Sequence, residues 1–279
     1  MDLAHPLPMA TAAKLQHLRE ELARLESALV AFSGGVDSAL LLRVAHDVLG
    51  TRVAALTTIS PTSPGEDTAT AVAVAHELGV EHLLIDANEL AIPGYAANPL
   101  DRCYLCKDTL YEICAGAARR RGITVILDGV NADDRDDYRP GLRAAAEHGV
   151  RHPLAEAGLS KAELRAISRA LGLPTWDKPA SPCLSSRFPY GTAISIERLQ
   201  QVGRAEQSLR ALGFREVRVR FHGEVARVEV ATADLGRFAD PGLRRAAVDG
   251  VRAAGFRYVT LDLEGFRSGS LNPDPRPRS

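Results

Sequence analysis

A short glycine turn between an apolar run and a helix-like run constrains this chain more than any other feature. The apolar run covers residues 28–32, and the helix-like run covers residues 39–45. The turn between them reads Ser33, Gly34, Gly35, Val36, Asp37 and Ser38. Glycines let the backbone approach an anion closely, and the N–H groups at a helix start attract negative charge. The pattern therefore predicts a phosphate-binding strand–loop–helix, in which the serine hydroxyls add donors and Asp37 holds a Mg²⁺ shared with phosphates.

The turn is not a Walker A loop, because that loop has four residues between its glycines and then Lys-Ser or Lys-Thr. It resembles instead the PP-loop of the ATP pyrophosphatase superfamily. Members of that superfamily cleave ATP to AMP and pyrophosphate, so the resemblance implies ATP as a bound cofactor. A strand–helix turn that binds no ligand is the alternative interpretation.

The order of predicted elements indicates an α/β fold. Strand-like segments at residues 28–32, 53–59, 82–85 and 125–128 alternate with helix-like segments. Such alternation is typical of a parallel sheet with helices on both faces, and ligands bind such sheets beyond the carboxyl ends of the strands. We assign residues 1–178 to this domain, which the resemblance makes a PP-loop ATP pyrophosphatase domain of the adenine nucleotide alpha hydrolase-like type.

Near Pro174 the pattern changes. Prolines interrupt a long irregular stretch, after which a helix, a two-strand hairpin, further helical segments and a last strand follow. We therefore predict a smaller α+β domain over residues 179–267, which the resemblance makes a substrate-binding and oligomerisation domain. Residues 268–279 are rich in proline, serine and arginine, which predicts a disordered tail.

Charge and hydropathy exclude several classes of function. The formal net charge is −1 and 46% of the residues are hydrophobic, so nothing indicates a nucleic-acid or membrane partner. We find no apolar run of the ~18 residues that a transmembrane helix needs, and no secretory signal at the N-terminus. We therefore expect a cytoplasmic protein, in which the four cysteines are thiols or metal ligands rather than disulfides.

Three of the cysteines form a candidate metal site. Cys103 and Cys106 form a Cys-x-x-Cys pair, and Cys183 follows in a proline-rich stretch. Three thiolates can hold three irons of a [4Fe-4S] cluster and leave the fourth iron open. Zinc is the competing metal, and it would need Cys114 or His152 as a fourth ligand. Inert cysteines are the remaining alternative.

Further candidate residues follow the fourth strand and lie in the second domain. Gly129 would let the backbone pack against a nucleotide. Arg218 and Arg220 alternate along a predicted strand, so both face one side, and paired arginines suit a phosphate. Glu206 lies on the preceding predicted helix and Glu229 on the following predicted strand. Each glutamate either belongs to a site or is an ordinary surface charge.

Four segments together resemble the LarE family of sulfur transferases, over roughly residues 12–265. They are the PP-loop, the Arg-Cys-Tyr-Leu-Cys-Lys segment at 102–107, the Ser-Pro-Cys-Leu-Ser-Ser-Arg-Phe-Pro-Tyr-Gly segment at 181–191, and the strand and turn at 217–223. The resemblance implies adenylation of a carboxylate of pyridinium-3,5-biscarboxylic acid mononucleotide, followed by replacement of the oxygen by sulfur. The product belongs to nickel-pincer nucleotide biosynthesis.

The resemblance also implies roles for particular residues. Cys183 matches a cysteine that some members sacrifice and that three-cysteine members use, with Cys103 and Cys106, to bind a [4Fe-4S] cluster. Arg187 would lie beside the reacting group, Arg218 and Arg220 would bind the substrate phosphate, and a second-domain site would be formed by Glu206 and Glu229. Asp37 and Cys183 would act in catalysis, and the chain would form a homo-oligomer, a hexamer by resemblance.

Two other classes of function compete with this interpretation. One is another PP-loop enzyme, either a tRNA-thiolating enzyme or an amide-forming ligase. The near-neutral charge argues against the first, and the lack of a glutaminase domain argues against the second. The other is a nucleotide-binding protein without catalytic activity.

Overall fold

The computed structural model describes residues 6–134, 140–267 and 269–271. The chain divides into two compact units. The first comprises Met1–Ala87 and Asp101–Ser181, and the second comprises Asn88–Leu100 and Pro182–Ser279. The sequence contains no signal that assigns residues 88–100 to the second unit.

The first unit is built on a four-stranded sheet in the order β3-β2-β1-β4. The strands are β1 (Ala28–Ala31), β2 (Val53–Ile59), β3 (Glu81–Asp86) and β4 (Val125–Leu127), and every neighbouring pair is parallel. All four residues of β1 are buried. A continuous apolar run buried on both faces is what a central parallel strand requires.

Helices cover both faces of this sheet. They are α1 (Met9–Ala23), α2 (Val36–Leu49), α3 (Gly65–Leu78), α4 (Arg102–Arg121), α5 (Pro140–Glu147), α6 (Pro153–Glu156) and α7 (Lys161–Ala170). Ala28 and Val30 belong to one apolar cluster, with α1, α2 and α7. Leu29 and Ala31 belong to the other, with α4 and α5. Alternate residues of β1 thus enter opposite cores, which confirms the predicted α/β architecture.

The second unit contains a three-stranded sheet in the order β5-β6-β7. Its elements are α8 (Ile196–Ala211), β5 (Val217–His222), β6 (Val225–Val230), α9 (Pro241–Ala253) and β7 (Tyr258–Leu261). Strands β5 and β6 are antiparallel, and β7 is parallel to β6. Gly223, with a φ of 66°, forms the hairpin turn at a conformation that favours glycine. The predicted smaller α+β region is therefore present.

Helix α4 begins at Arg102, so Cys103 lies on its first turn and Cys106 at the start of its second. Of the predicted tail, the structure describes only residues 269–271, which form a turn. Among the described residues, no helix is both long and apolar enough to cross a membrane.

Candidate functional site

The glycine turn has the backbone geometry of an anion site. Gly34 has a φ of 70°, and a Cβ placed on it would lie 2.8 Å from the backbone nitrogen of Ala71 on α3. Both the conformation and the close approach of α3 therefore require glycine. Gly35 is the N-cap of α2, and no side chain caps that helix start. The first-turn N–H groups of α2 have no acceptor within the helix, so they can bind an anion.

Hydroxyl groups connect the two ends of this turn. The Ser33 and Ser38 Oγ atoms are 3.1 Å apart, and the Ser38 hydroxyl is 3.3 Å from the Gly35 carbonyl. These contacts hold the turn closed in front of the N-terminus of α2. The structure thus brings together the predicted residues of the PP-loop.

Asp37 has one oxygen that is fully engaged and one that is not. Its Oδ2 accepts from the Lys161 Nζ and from the Asn131 Nδ2 at 3.2 Å. Its Oδ1 is buried without a hydrogen-bond partner among the described residues. A buried carboxylate oxygen left open beside a phosphate-binding turn fits a hard divalent cation such as Mg²⁺. Lys161 and Asn131 were not predicted as partners of Asp37, because nothing in their spacing links them to it.

Gly129 contacts the protein rather than open space. A Cβ on Gly129 would lie 2.9 Å from the Ser38 backbone nitrogen at the start of α2. The glycine is therefore required because the chain after β4 packs directly against the PP-loop helix. Its predicted role in cofactor binding stays a prediction.

Sequence analysis also missed a buried polar network that follows β4. The Asp128 carboxylate accepts from the Tyr111 hydroxyl at 2.5 Å, and its other oxygen lies 2.6 Å from the His152 Nδ1. Burial opposes ionisation of Asp128, but the hydrogen bond and charge of His152 and the charge of Lys107 hold its pKa below the ordinary value. Burial raises the pKa of the Tyr111 hydroxyl. The Nδ1 atom of His152 is thus held by the Asp128 carboxylate.

The four cysteines are thiols that lie in different environments. Cys103 and Cys106 are half-buried near the start of α4, and their i, i+3 spacing places them on one side of the helix. Cys114 is buried in the apolar cluster of α4 and α5, and burial raises the pKa of its thiol to about 12. A thiol that stays protonated is a poor metal ligand, so Cys114 is a core residue.

In the second unit, Arg187 organises the segment that carries Cys183. Cys183 immediately precedes a 3₁₀ helix, Leu184–Arg187. The fully buried guanidinium of Arg187 donates to the Pro182 carbonyl at 2.9 Å and to the Cys183 carbonyl at 3.3 Å. It also binds both carboxylate oxygens of Glu206, at 2.7 and 3.0 Å. Arg187 thus fixes the backbone on which the Cys183 thiol is carried.

Residues 88–100, which belong to the second unit, also contact the segment that follows Cys183. The Tyr95 and Ser185 hydroxyls are 2.9 Å apart. The side-chain amide of Asn98, which has a φ of 57°, donates to the Pro189 carbonyl at 2.8 Å. The Asn98 carbonyl in turn accepts from the Gly191 N–H at 2.9 Å. Residues 88–100 are therefore anchored on the segment that follows Cys183 within the second unit.

The predicted phosphate-binding arginines are buried among carboxylates. Arg220 pairs with Glu229 at 2.8 Å and donates to the Ser186 carbonyl at 2.9 Å. Burial, and then the charge of Arg187, lowers the pKa of Arg218 to about 10. Burial opposes ionisation of Glu206, but Arg187 holds its pKa below the ordinary value. The structure therefore joins four of the predicted residues in two buried ion pairs, Arg187–Glu206 and Arg220–Glu229, and the alternative that the two glutamates are ordinary surface charges does not hold.

Candidate metal ligands do not gather in the part of either unit that the structure describes. Among the described residues of each unit, no three His, Cys, Asp or Glu side chains group as a metal site. The predicted thiol trio draws Cys103 and Cys106 from the first unit and Cys183 from the second. The cluster therefore stays a prediction.

A glycine turn of this geometry, at the carboxyl end of a central parallel strand, defines a PP-loop nucleotide-binding protein. A family model described as asparagine synthase matches residues 18–135, the region of the turn and the first unit's sheet.

Curated relatives cover nearly the whole chain. An uncharacterised protein of Synechocystis sp. is 50% identical over 93% of this chain and 97% of its own length. Pyridinium-3,5-bisthiocarboxylic acid mononucleotide synthase of Lactiplantibacillus plantarum is 42% identical over 95% of this chain and 96% of its own length. The chain belongs to the LarE family, to which this synthase belongs.

A more distant similarity concerns another class of sulfur-handling enzyme. A tRNA-specific 2-thiouridylase of Azorhizobium caulinodans is 31% identical over 61% of this chain and 53% of its own length. The lower coverage on both sides sets this relationship apart from the family match.

Proposed function

We propose that this protein is an ATP-dependent sulfur transferase that converts a carboxylate of pyridinium-3,5-biscarboxylic acid mononucleotide into a thiocarboxylate. The observation that carries the proposal is the near full-length match to the synthase of Lactiplantibacillus plantarum. It is supported by a PP-loop whose glycine geometry, open helix N-terminus and half-engaged aspartate suit a nucleoside triphosphate.

The chemistry proceeds in two steps. A substrate carboxylate oxygen attacks the α-phosphorus of ATP, and pyrophosphate leaves, which gives an acyl adenylate. Sulfide or a thiolate then attacks the acyl carbon, and AMP leaves with the former carboxylate oxygen. Adenylation is needed because an unmodified carboxylate has no adequate leaving group.

The first unit would bind the nucleotide. We infer that the N–H groups at the start of α2, together with Ser33 and Ser38, hold the phosphates. The open Oδ1 of Asp37 would ligate Mg²⁺, which would neutralise charge on the departing pyrophosphate. The cofactor-binding site would also include three glycines that lie in this turn or pack against it, Gly34, Gly35 and Gly129.

The second unit would bind the substrate and carry Cys183, which would take part in sulfur transfer. Arg218 and Arg220 are the proposed contacts of the substrate phosphate, and their burial would strengthen a charge-assisted hydrogen bond to it. Arg187 would position Cys183 through the two carbonyl contacts described above. Glu206 and Glu229 would set the orientation of the arginines that they bind.

We propose that Cys103, Cys106 and Cys183 would hold a [4Fe-4S] cluster, which would supply the sulfide to be transferred. The support for this proposal is the resemblance of the segments at 102–107 and 181–191 to the three-cysteine members of the family. The alternative is a sacrificial Cys183, whose Cβ–Sγ bond would break to leave dehydroalanine. The predicted homo-oligomer, hexameric by resemblance, and the cytoplasmic location also remain predictions.

The proposal is tested with anaerobically purified protein, ATP, Mg²⁺, sulfide and the biscarboxylic acid mononucleotide. We expect AMP, pyrophosphate and a thiocarboxylate product, with no change when tRNA is added. Stimulation by tRNA would indicate a tRNA-thiolating enzyme instead, and no pyrophosphate release would indicate a silent nucleotide binder.

The sulfur source is tested separately. Iron and labile sulfide content report the cluster, and the intact polypeptide mass after turnover reports loss of H₂S. The Cys183→Ala variant should still form the adenylate but should not transfer sulfur. Bound zinc instead of iron, or a polypeptide lighter by H₂S, would overturn the cluster proposal and leave the transferase proposal intact.

A further inference from the structure

Lys161 places an ammonium group directly on the carboxylate of the PP-loop. Its Nζ contacts the Asp37 Oδ2, and the Asn131 side-chain amide donates to the same oxygen at 3.2 Å. The Asp37 Oδ1 remains buried without a hydrogen-bond partner among the residues that the structure describes. One oxygen of Asp37 is therefore neutralised by a fixed cation of the protein, while the other is open to a ligand.

The position of Lys161 is built into the fold. Lys161 is the first residue of α7, after the N-cap Ser160, whose capping box fixes the helix start. The backbone N–H of Lys161 donates to the Asp133 Oδ2 at 2.8 Å. The Ala132 N–H donates to the Leu159 carbonyl at 2.9 Å, so the turn after β4 is bound to the start of α7. These contacts deliver Asn131 and Lys161 to Asp37 together.

We propose that Lys161 is a positioning residue that serves as the counter-ion of Asp37 and makes divalent metal binding there depend on bound nucleotide. Without nucleotide, the ammonium repels a divalent cation that approaches the open oxygen. With a triphosphate in the turn, the phosphate charges attract both cations and offset that repulsion. The inference rests on the proposed function, because it assumes that the turn binds ATP.

The test measures two affinities that should change in opposite directions. Mn²⁺ replaces Mg²⁺ as the probe, and its binding to nucleotide-free protein is followed by electron paramagnetic resonance. A unit charge ~5 Å from a divalent ion at water-like dielectric corresponds to roughly a tenfold change in affinity. We therefore expect Lys161→Met to bind Mn²⁺ about tenfold more tightly than the wild type and to bind ATP, in the presence of EDTA, several-fold more weakly.

Two control variants test whether the charge of Lys161 is responsible for these changes in affinity. Lys161→Arg keeps the charge and should restore both affinities towards the wild-type values. Lys14→Met removes another lysine that pairs with α7, through Glu163 at 2.8 Å, and should change neither affinity.

Three results would overturn the inference. Loss of both affinities in Lys161→Met would show that the lysine merely maintains the structure, and unchanged affinities would show that it does not influence the site. Equal Mn²⁺ affinity with and without an ATP analogue in the wild type would show that metal binding is not coupled to nucleotide. A wild type that releases no pyrophosphate from ATP, even with metal and substrate, would contradict the proposed function itself.

Discussion

Glu206 holds the segment of Cys183 through a fully buried charge, and its removal should be costly. Its Oε1 accepts from the Arg187 Nε at 2.7 Å and from the Val219 N–H at 3.0 Å. Its Oε2 accepts from the Arg187 Nη2 at 3.0 Å and from the Arg210 Nη2 at 2.9 Å. Glu206→Gln keeps the shape but leaves the Arg187 charge buried without a counter-charge. Breaking a buried ion pair costs about 3–5 kcal/mol, and we expect a loss in that range in the free energy of unfolding.

Urea unfolding followed by far-UV circular dichroism measures this loss, with Arg210→Ala as the matched control. Because the Arg210 side chain is 24% exposed, its variant should lose only about 1 kcal/mol or less. The double variant Arg187→Met/Glu206→Leu removes both charges, and it should be more stable than Glu206→Gln. A Glu206→Gln protein within ~1 kcal/mol of the wild type would show that the Arg187 charge is compensated in another way, since an uncompensated buried charge destabilises a protein by more than that.

Three further predictions concern the first unit. Gly34→Ala should abolish ATP binding in calorimetric titration, because the positive φ of Gly34 and the 2.8 Å approach of the α3 backbone exclude a side chain. Gly79 has a similar φ but no neighbour within 4 Å of an added Cβ, so the control variant Gly79→Ala should bind ATP normally. The pKa of Asp128 is lower in the folded state than in the unfolded chain. The contribution of Asp128 to the free energy of unfolding should therefore be fully present above the ordinary carboxyl pKa of about 4 and be lost as the pH falls through the folded-state pKa. An Asp128→Asn variant should lose this pH dependence of the unfolding free energy. Cys103→Ala should reduce the iron content of anaerobically purified protein, whereas Cys114→Ala should leave it unchanged, because the Cys114 thiol is buried in an apolar cluster.

Local sequence patterns determined the nucleotide-binding half of the molecule. The glycine turn, the apolar strand before it and the helix start after it lie next to one another in the chain, so short-range geometry fixes them. The capping box of Ser160 and Glu163 is likewise formed by residues only three positions apart. The resemblance to the LarE family was readable because its motifs are contiguous strings, such as the one at 181–191.

Contacts between distant parts of the chain could not be predicted from local sequence patterns. Lys161 meets Asp37 across 124 positions, and Tyr95 meets Ser185 across 90. No periodicity marks either pair, because the packing of whole elements brings them together. The acidic partners Glu206 and Glu229 were predicted with surface charge as an alternative, since a carboxylate gives no sign in the sequence that it will be buried.

The α/β class, the phosphate-binding turn and the family can therefore be predicted from the amino-acid sequence, because each depends on residues that are neighbours in the chain. The three-dimensional structure was needed to show which charges are buried, which oxygen of Asp37 lacks a partner among the described residues, and that Gly129 packs against α2. Burial and ion pairing depend on how separate elements pack, and a carboxylate or an ammonium carries the same letter whether it lies in water or in the core.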